Sequence, residues 1–331
     1  MKIAAVAAQF PSRILDNDEM LTIIRDASKT TFQGNLDRFL KKIRLLLEYT
    51  GAQSRCLLGP NETPLQLIEQ AFHDALAQAQ WQKEEIDLVI YVGVGRAVIE
   101  PGNSYLLAQA LGLTKAHCFD ILDACMSWVR AMHLADLYLK ANIYKKIMII
   151  NAEFNVLAGH DAGLGMPEVF AYHHADELEY TLPGATIGEA TTVTLLTKDD
   201  EKPFEFHFSS APELADLCTV ACRGYELFTT SAQQRRVGKS GIGFFTSYGV
   251  DLHKKGLPYS FAILQQLSVP MNEIDIVFTH ASSSRLWENA GRTVGMANKI
   301  YHIFPQTGNL VSASVPAAMF KAISENKFKR G

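Results

Sequence analysis

Between Thr63 and Gln80 the apolar side chains Leu65, Ile68, Phe72, Ala75, Leu76 and Ala79 recur at the spacing of one helix face. Pro64 stands where a first helical residue belongs. The stretch predicts an amphipathic helix packed on one side. The pattern then changes to a continuous apolar run, IDLVIYVGVG over 86–95, and a second run follows in KKIMIINAEF over 145–154. Such runs predict strands of a sheet covered on both faces. Helix and strand patterns alternate along the chain without a low-complexity stretch or a Pro/Gly/Ser linker, which predicts an α/β architecture.

One stretch repeats. Glu85-Ile-Asp-Leu-Val-Ile-Tyr91 returns as Glu273-Ile-Asp-Ile-Val-Phe-Thr279, 188 residues later. Each copy follows a helical pattern and leads into a loop, a helix and another strand. The expected organisation is two similar halves, 1–200 and 201–331, joined near Asp199–Pro203. At this offset Cys125 falls at Ala313, close to Asn309, so Cys125 and Asn309 start equivalent segments that pseudo-symmetry brings to the centre.

Composition narrows the classes. The 331 residues carry 31 basic and 35 acidic side chains, a net charge of −4, with 48% hydrophobic and 20% charged residues. That balance excludes wholesale disorder, and the missing basic excess argues against a nucleic-acid binder. No apolar run approaches the ~18 residues of a membrane span, and the N-terminal stretch reads as a buried strand rather than a signal peptide. Five cysteines in a chain of this length are not a disulfide scaffold, so a reducing, cytoplasmic compartment is expected.

Three side chains are candidates for chemistry. In FDILDACMSWVRAMHLADLYLKAN a strand turns sharply into a helix, with Val129, Met132, Leu137 and Leu139 at its apolar positions. Cys125 stands at or beside the helix start, where unpaired N–H groups and the dipole favour a thiolate nucleophile. His280 follows the second copy of the repeated strand, at the strand end where α/β sheets gather ligand and catalytic groups. Asn309 follows Gly308 and precedes a Ser/Ala-rich helix start; Gly-Asn is also a routine turn pair.

TGAQSRCLLGPNETPLQLIEQA, the DACMSW elbow, the HASSSR loop and TGNLVSASVPAA, in that order, resemble beta-ketoacyl-ACP synthase III, a group of the thiolase-fold condensing enzymes. The resemblance runs from about Ala4 to the chain end, interrupted around Gly159–Tyr180 and Cys218–Lys239. It implies duplicated βαβαβαββ halves in a five-layered αβαβα core, usually as a homodimer, with a heterodimer as the other arrangement. It implies no tightly bound cofactor and no metal; acyl-CoA or acyl-ACP and malonyl-ACP serve as substrates, and acyl carrier protein is the partner. Cys125 matches the family's acyl-accepting nucleophile, and His280 and Asn309 match the residues that stabilise the malonyl-derived enolate. The implied activity is decarboxylative Claisen condensation in fatty acid or secondary metabolite biosynthesis. The alternatives are a same-fold acyltransferase that passes the acyl group from Cys125 to an alcohol, an amine or a second acyl chain, and a non-catalytic partner in a hetero-oligomer.

Departures from the family pattern carry their own expectations. The family's adenine-stacking tryptophan and arginine are replaced by Leu45 and Tyr49, which removes the cationic stacking partner. The family histidine is followed by Gln-Ala-Asn, here Ala281-Ser282-Ser283. Met126 and Trp128 are bulky beside the nucleophile and would narrow the acyl channel. Glu100 replaces an apolar residue that lines the family's acyl pocket across the dimer. Arg285 and Arg292 match carrier-protein contacts and, with Tyr49, mark the phosphopantetheine entrance; Arg235, Arg236, Lys239, Lys254 and Lys255 would extend a basic patch.

Other signals are weak. Gly93-Val-Gly95 lacks the third glycine of a dinucleotide fingerprint. Cys218 and Cys222 lack a second pair at zinc spacing. His160, His173, His174, Asp176 and Glu177 read as a polar loop or lid. Finally, the family adds two strands after the last helix, here Pro316–Glu325. A glycine-rich turn between those strands supplies an oxyanion N–H. The chain is therefore expected to continue for about 20–30 residues beyond Gly331, since without them a sheet edge would stay unpaired and the oxyanion hole incomplete.

Overall fold

Thr63 closes the start of its helix reciprocally. Its hydroxyl accepts the Gln66 N–H, and the Gln66 side chain accepts the Thr63 N–H. The computed structural model describes residues 1–154, 170–199 and 204–328. Its strands are β1 (Lys2–Gln9), β2 (Arg13–Asp16), β3 (Ser54–Leu57), β4 (Leu88–Val92), β5 (His117–Ile121), β6 (Lys146–Glu153), β7 (Ala190–Thr197), β8 (Cys218–Val220), β9 (Phe245–Ser247), β10 (Val277–Phe278) and β11 (Ile300–Tyr301). The helices are α1 (Asn17–Ser28), α2 (Leu36–Thr50), α3 (Pro64–Ala79), α4 (Asn103–Ala110), α5 (Ser127–Lys140), α6 (Leu178–Thr181), α7 (Gly249–Leu264), α8 (Ser284–Thr293), α9 (Phe304–Thr307) and α10 (Ser314–Ser324).

The two apolar runs become β4 and β6, neighbours in a five-stranded sheet of order β1-β7-β6-β4-β5. β4 pairs in parallel with both β5 and β6, while β7 runs antiparallel to β6 and β1. All five β4 residues are buried because both faces are covered. Val89 and Tyr91 meet Ile68, Phe72 and Ala75 of α3. Leu88, Ile90 and Val92 meet Trp128, Met132, Ala135 and Leu139 of α5. The α3 stripe is Leu67, Ile68, Ala71, Phe72 and Ala75, so Leu65 is not part of it and is 40% exposed. On α5 Leu137 likewise faces out, at 48% exposed.

The echo survives in three dimensions at reduced size. Each copy follows a 3₁₀ turn, Lys83–Glu85 or Met271–Glu273, but β10 is two residues long and pairs in parallel with β11. Among the described residues β10 has this one neighbour where β4 has two, and it contains no fully buried residue. α10 lies between the large sheet and this pair: Ala317 and Ala318 pack with Ala8, Ala190 and Phe278. α8 packs on β11 from outside. The succession of α3, large sheet, α5 with α10, small sheet and α8 is the five-layered thiolase arrangement. Residues 200–203, where the halves were expected to join, lie outside the described residues, as does His160. No helix among the described residues is long and apolar enough to cross a membrane.

Candidate active site

After β5 the chain turns through Ala124, held at φ +44°, a conformation costly for a residue with a Cβ. The turn is knotted by its own polar groups. Asp123 N–H donates to Ser127 Oγ at 2.8 Å, Ser127 Oγ–H donates to the Ala124 carbonyl at 2.7 Å, and Arg130 Nε donates to Asp123 Oδ2 at 3.0 Å. Cys125 sits inside this 3₁₀ turn, half-buried, packed on the cluster that holds Leu182, Val94 and Phe245. Regular helix begins only at Ser127. Burial pushes the Cys125 thiol well above its ordinary range, Cys218 and Glu153 push it further, and its own backbone N–H opposes them. The expected helix-start thiolate is therefore corrected: desolvation outweighs the dipole, and the resting residue is a thiol.

An equivalent turn exists in the second half. Val311 is held at φ +50°, a 3₁₀ turn spans Val311–Ala313, and α10 starts at Ser314, 187 residues after Ser127 opens α5. The two turns pack against each other. Asn309 lies just before the second of them, buried. Its backbone N–H donates to the Thr186 carbonyl at 2.7 Å, and its carbonyl accepts Gly188 N–H at 3.0 Å. Its Oδ1 accepts Val311 N–H at 2.9 Å, which orients the amide so that Nδ2 is its donor end. A Cβ on Gly188 would collide with the Thr307 carbonyl oxygen. Gly188→Ala is expected to destabilise by about 2–3 kcal/mol, roughly a 5 °C loss of Tm in a thermal melt.

His280 follows β10, and its ring reaches the same junction. Nδ1 lies 3.3 Å from Ser314 Oγ, and the Val311 carbonyl accepts from the ring. Burial first, then His253, pushes its pKa down to about 4, so the imidazole is neutral at pH 7. The loop that carries it is pinned in two directions. Ser282 Oγ lies 3.1 Å from His253 Nε2 and accepts the Trp287 indole N–H at 3.2 Å, while Ser283 Oγ donates to the Thr50 carbonyl at 3.0 Å. The structure thus brings Cys125, His280 and Asn309 to one seam between the halves.

Glu153 escaped the sequence reading, although a carboxylate closing an otherwise apolar strand was a visible signal. It is fully buried at the end of β6. It accepts the N–H groups of Val94, Gly95 and Ser312 and the Ser312 hydroxyl. Asn151 Nδ2 donates to the same Ser312 hydroxyl at 3.0 Å. These bonds tie the first half to the turn beside Asn309.

At the surface, Leu45 and Tyr49 stand where the stacking pair was expected to be lost, and a cation from another helix lies beside them. The Arg285 guanidinium lies 5.0 Å from the Tyr49 ring centroid. An aromatic–guanidinium pair is therefore present, assembled from α2 and α8 rather than from α2 alone. Leu45 is exposed beside it. Arg292 is held by Asn289 at 2.8 Å and Glu288 at 3.7 Å, Arg236 by Asp216 at 3.2 Å and Lys255 by Asp251 at 3.4 Å. The basic patch is thereby partly neutralised. Trp128 does not narrow a channel: it points into the core, its Nε1–H donating to Thr194 Oγ1 at 3.0 Å. Met126 and Glu100 are exposed. His173 pairs with Glu177. Among the described residues no group of three or more His, Cys, Asp or Glu side chains could hold a metal ion.

Comparison with known proteins agrees with this fold. The family described as 3-oxoacyl-[acyl-carrier-protein] synthase III, C terminal, matches residues 264–331. Beta-ketoacyl-[acyl-carrier-protein] synthase III of Brucella suis is 21% identical over 99% of this chain and 92% of its own length, and that of Brucella anthropi 22% over the same shares. A solved structure of Xanthomonas campestris OleA superposes with TM-score 0.80 at 20% identity, covering 100% of this chain and 92% of that one. A cysteine-to-serine form of the same protein, described with bound lauric acid and lauroyl-CoA, gives TM-score 0.80 at 20% identity, covering 99% and 92%. The synthase III of Aquifex aeolicus gives 0.75 at 19% identity, covering 100% and 92%. With the duplicated turns and the strand order, these likenesses show that the chain has the thiolase fold and is similar over nearly its whole length to beta-ketoacyl-ACP synthase III.

Proposed function

We propose that the chain is an acyl-thioester condensing enzyme that loads an acyl group on Cys125 and joins it to a malonyl-derived carbanion. The carrying observation is the packing of the Cys125 turn against the turn between Asn309 and Ser314, with His280 neutral beside it. In the loading step the Cys125 sulfur bonds to the acyl carbon, the donor's C–S bond breaks, and the thiol proton leaves on the donor thiol. Malonyl-ACP then loses carbon dioxide, and charge develops on its thioester oxygen. Asn309 Nδ2 is a donor for that oxygen. His280 becomes the second donor when the Ser314 hydroxyl turns from the Val311 carbonyl to Nδ1 and the ring gives up its own bond to that carbonyl, with its proton on Nε2. Carbon dioxide released from malonyl-ACP, in step with product, tests this reading; acyl transfer without carbon dioxide overturns it.

The likeness to OleA with lauroyl-CoA favours a second reading, transfer of a long acyl chain from CoA to a second acyl chain. The Tyr49–Arg285 pair fits a carrier with a nucleotide end. Arg285→Ala is expected to raise KM for an acyl-CoA by roughly 3–30-fold and to leave KM for acyl-pantetheine within about twofold. Equal changes for both donors would place the nucleotide elsewhere.

The expected homodimer fits the β5 edge. β5 is the outer strand of its sheet, and Ile99 at 83%, Leu122 at 64%, Tyr105 and Met126 are exposed apolar groups on segments flanking it or packed on it. Pairing of two β5 edges would cover them and carry Glu100, next to Ile99, toward the partner.

A further inference from the structure

We propose that Arg55 is a positioning residue for Asn309, acting in the carbanion-forming step rather than in acyl loading. The inference rests on the condensing reading above and deepens it. Arg55 lies on β3, in the TGAQSR stretch, and is fully buried. Its Nη1 donates to the Asn17 side-chain oxygen at 3.0 Å and to the Leu15 carbonyl at 3.4 Å, and its Nη2 donates to the Ala185 carbonyl at 2.8 Å. These partners are all neutral, and Nε has no partner among the described residues. Buried charges usually sit on carboxylates; this one is spent on carbonyls of two separate segments. Burial lowers its pKa to about 10, so it stays protonated at neutral pH.

The segment pinned by Nη2 is the one that clamps Asn309. Thr186 accepts the Asn309 N–H, Gly188 donates to its carbonyl, and Ile187 forms a bridge with it. The Arg55 stem closes the other side. A Cβ on Gly308 would stand 2.9 Å from Arg55 Cβ and 2.5 Å from the Thr186 oxygen. The rest of the stretch is stitched to the same elements: Gln53 N–H donates to the Pro305 carbonyl at 2.9 Å, and Ser54 Oγ–H to that of Gln306 at 2.8 Å. Thr50 accepts the Ser283 hydroxyl of the His280 loop. Six consecutive residues thus bracket both supports of the enolate, and Arg55 holds the Asn309 side. The Cys125 turn takes no hydrogen bond from Arg55 among the described residues.

The test separates the two half-reactions in the full chain, with acyl loading read by intact mass and the second step by carbon dioxide released from malonyl-ACP. Arg55→Met should leave the loading rate within about threefold and lower kcat of the second step about 100-fold, the cost of a misplaced group, with KM for malonyl-ACP little changed. Arg55→Lys keeps the charge but cannot reach Asn17 and Ala185 together, so a loss of about 10-fold is expected. If Arg55→Met fails to fold, Arg55→Lys and Asn17→Ala carry the test. In an Asn309→Ala background Arg55→Met should add no more than about threefold, because the two act as a unit. Equal losses in loading and in the second step, or fully multiplicative losses in the double variant, overturn the proposal. Failure of the wild-type chain to load any acyl group would instead refute the condensing reading itself.

Discussion

Incubated with acyl thioesters, the wild-type chain gains one acyl mass, and Cys125→Ala gains none. The expected loss in turnover is at least about 10,000-fold, because no other group substitutes for a missing nucleophile. The prediction rests on the placement of Cys125 in a strained turn at the seam, where the second half's equivalent turn faces it. Cys118, on the outer strand β5, is the control: an acyl group found there would refute the assignment. The pH dependence has a definite sign. Burial holds the thiol protonated, and the thiolate is the attacking form, so the loading rate should rise with pH from about 6 to about 9. A rate flat across that range would mean that a bound donor, or a proton acceptor within the site, has already released the proton.

His280→Ala and Asn309→Ala should spare loading and lower the second step by roughly 100- to 1000-fold each, the usual cost of one oxyanion-type donor. Both side chains stand on the second half, tied to the Val311 turn and to Ser314, and the Val311 N–H fixes which end of the Asn309 amide donates. Loading and turnover lost equally in both variants would make His280 a base in the attack by Cys125. Because the His280 pKa is held down near about 4, the second step should be flat from about pH 5.5 to pH 8. It should fall only as the ring gains its proton below that window. A fall centred near pH 6.5 would show an imidazole that burial has not shifted.

How much of this was legible in the chain follows from where each determinant lies. The α3 helix, the β4 and β6 strands and the turn at Cys125 are local: their apolar spacing, caps and small residues lie within a few positions of one another. The internal echo was legible for the same reason, since equal short segments fold into equal short elements. Its outcome was not, because β4 is buried by neighbours on both sides whereas β10, among the described residues, finds only β11. The direction of Trp128 was set by Thr194, 66 residues away, and the Tyr49–Arg285 pair by the docking of α8 on the end of α2. Glu153 and Arg55 looked like ordinary charges until partners from two separate segments closed on each.

The protonation state of the site is the deepest of these differences. Local sequence placed Cys125 near a helix start and so pointed to a thiolate. Whether that pull prevails depends on how much water the assembled halves remove from the sulfur. Desolvation is a property of the packed whole, summed over groups distant in the chain, and only the tertiary structure decides it.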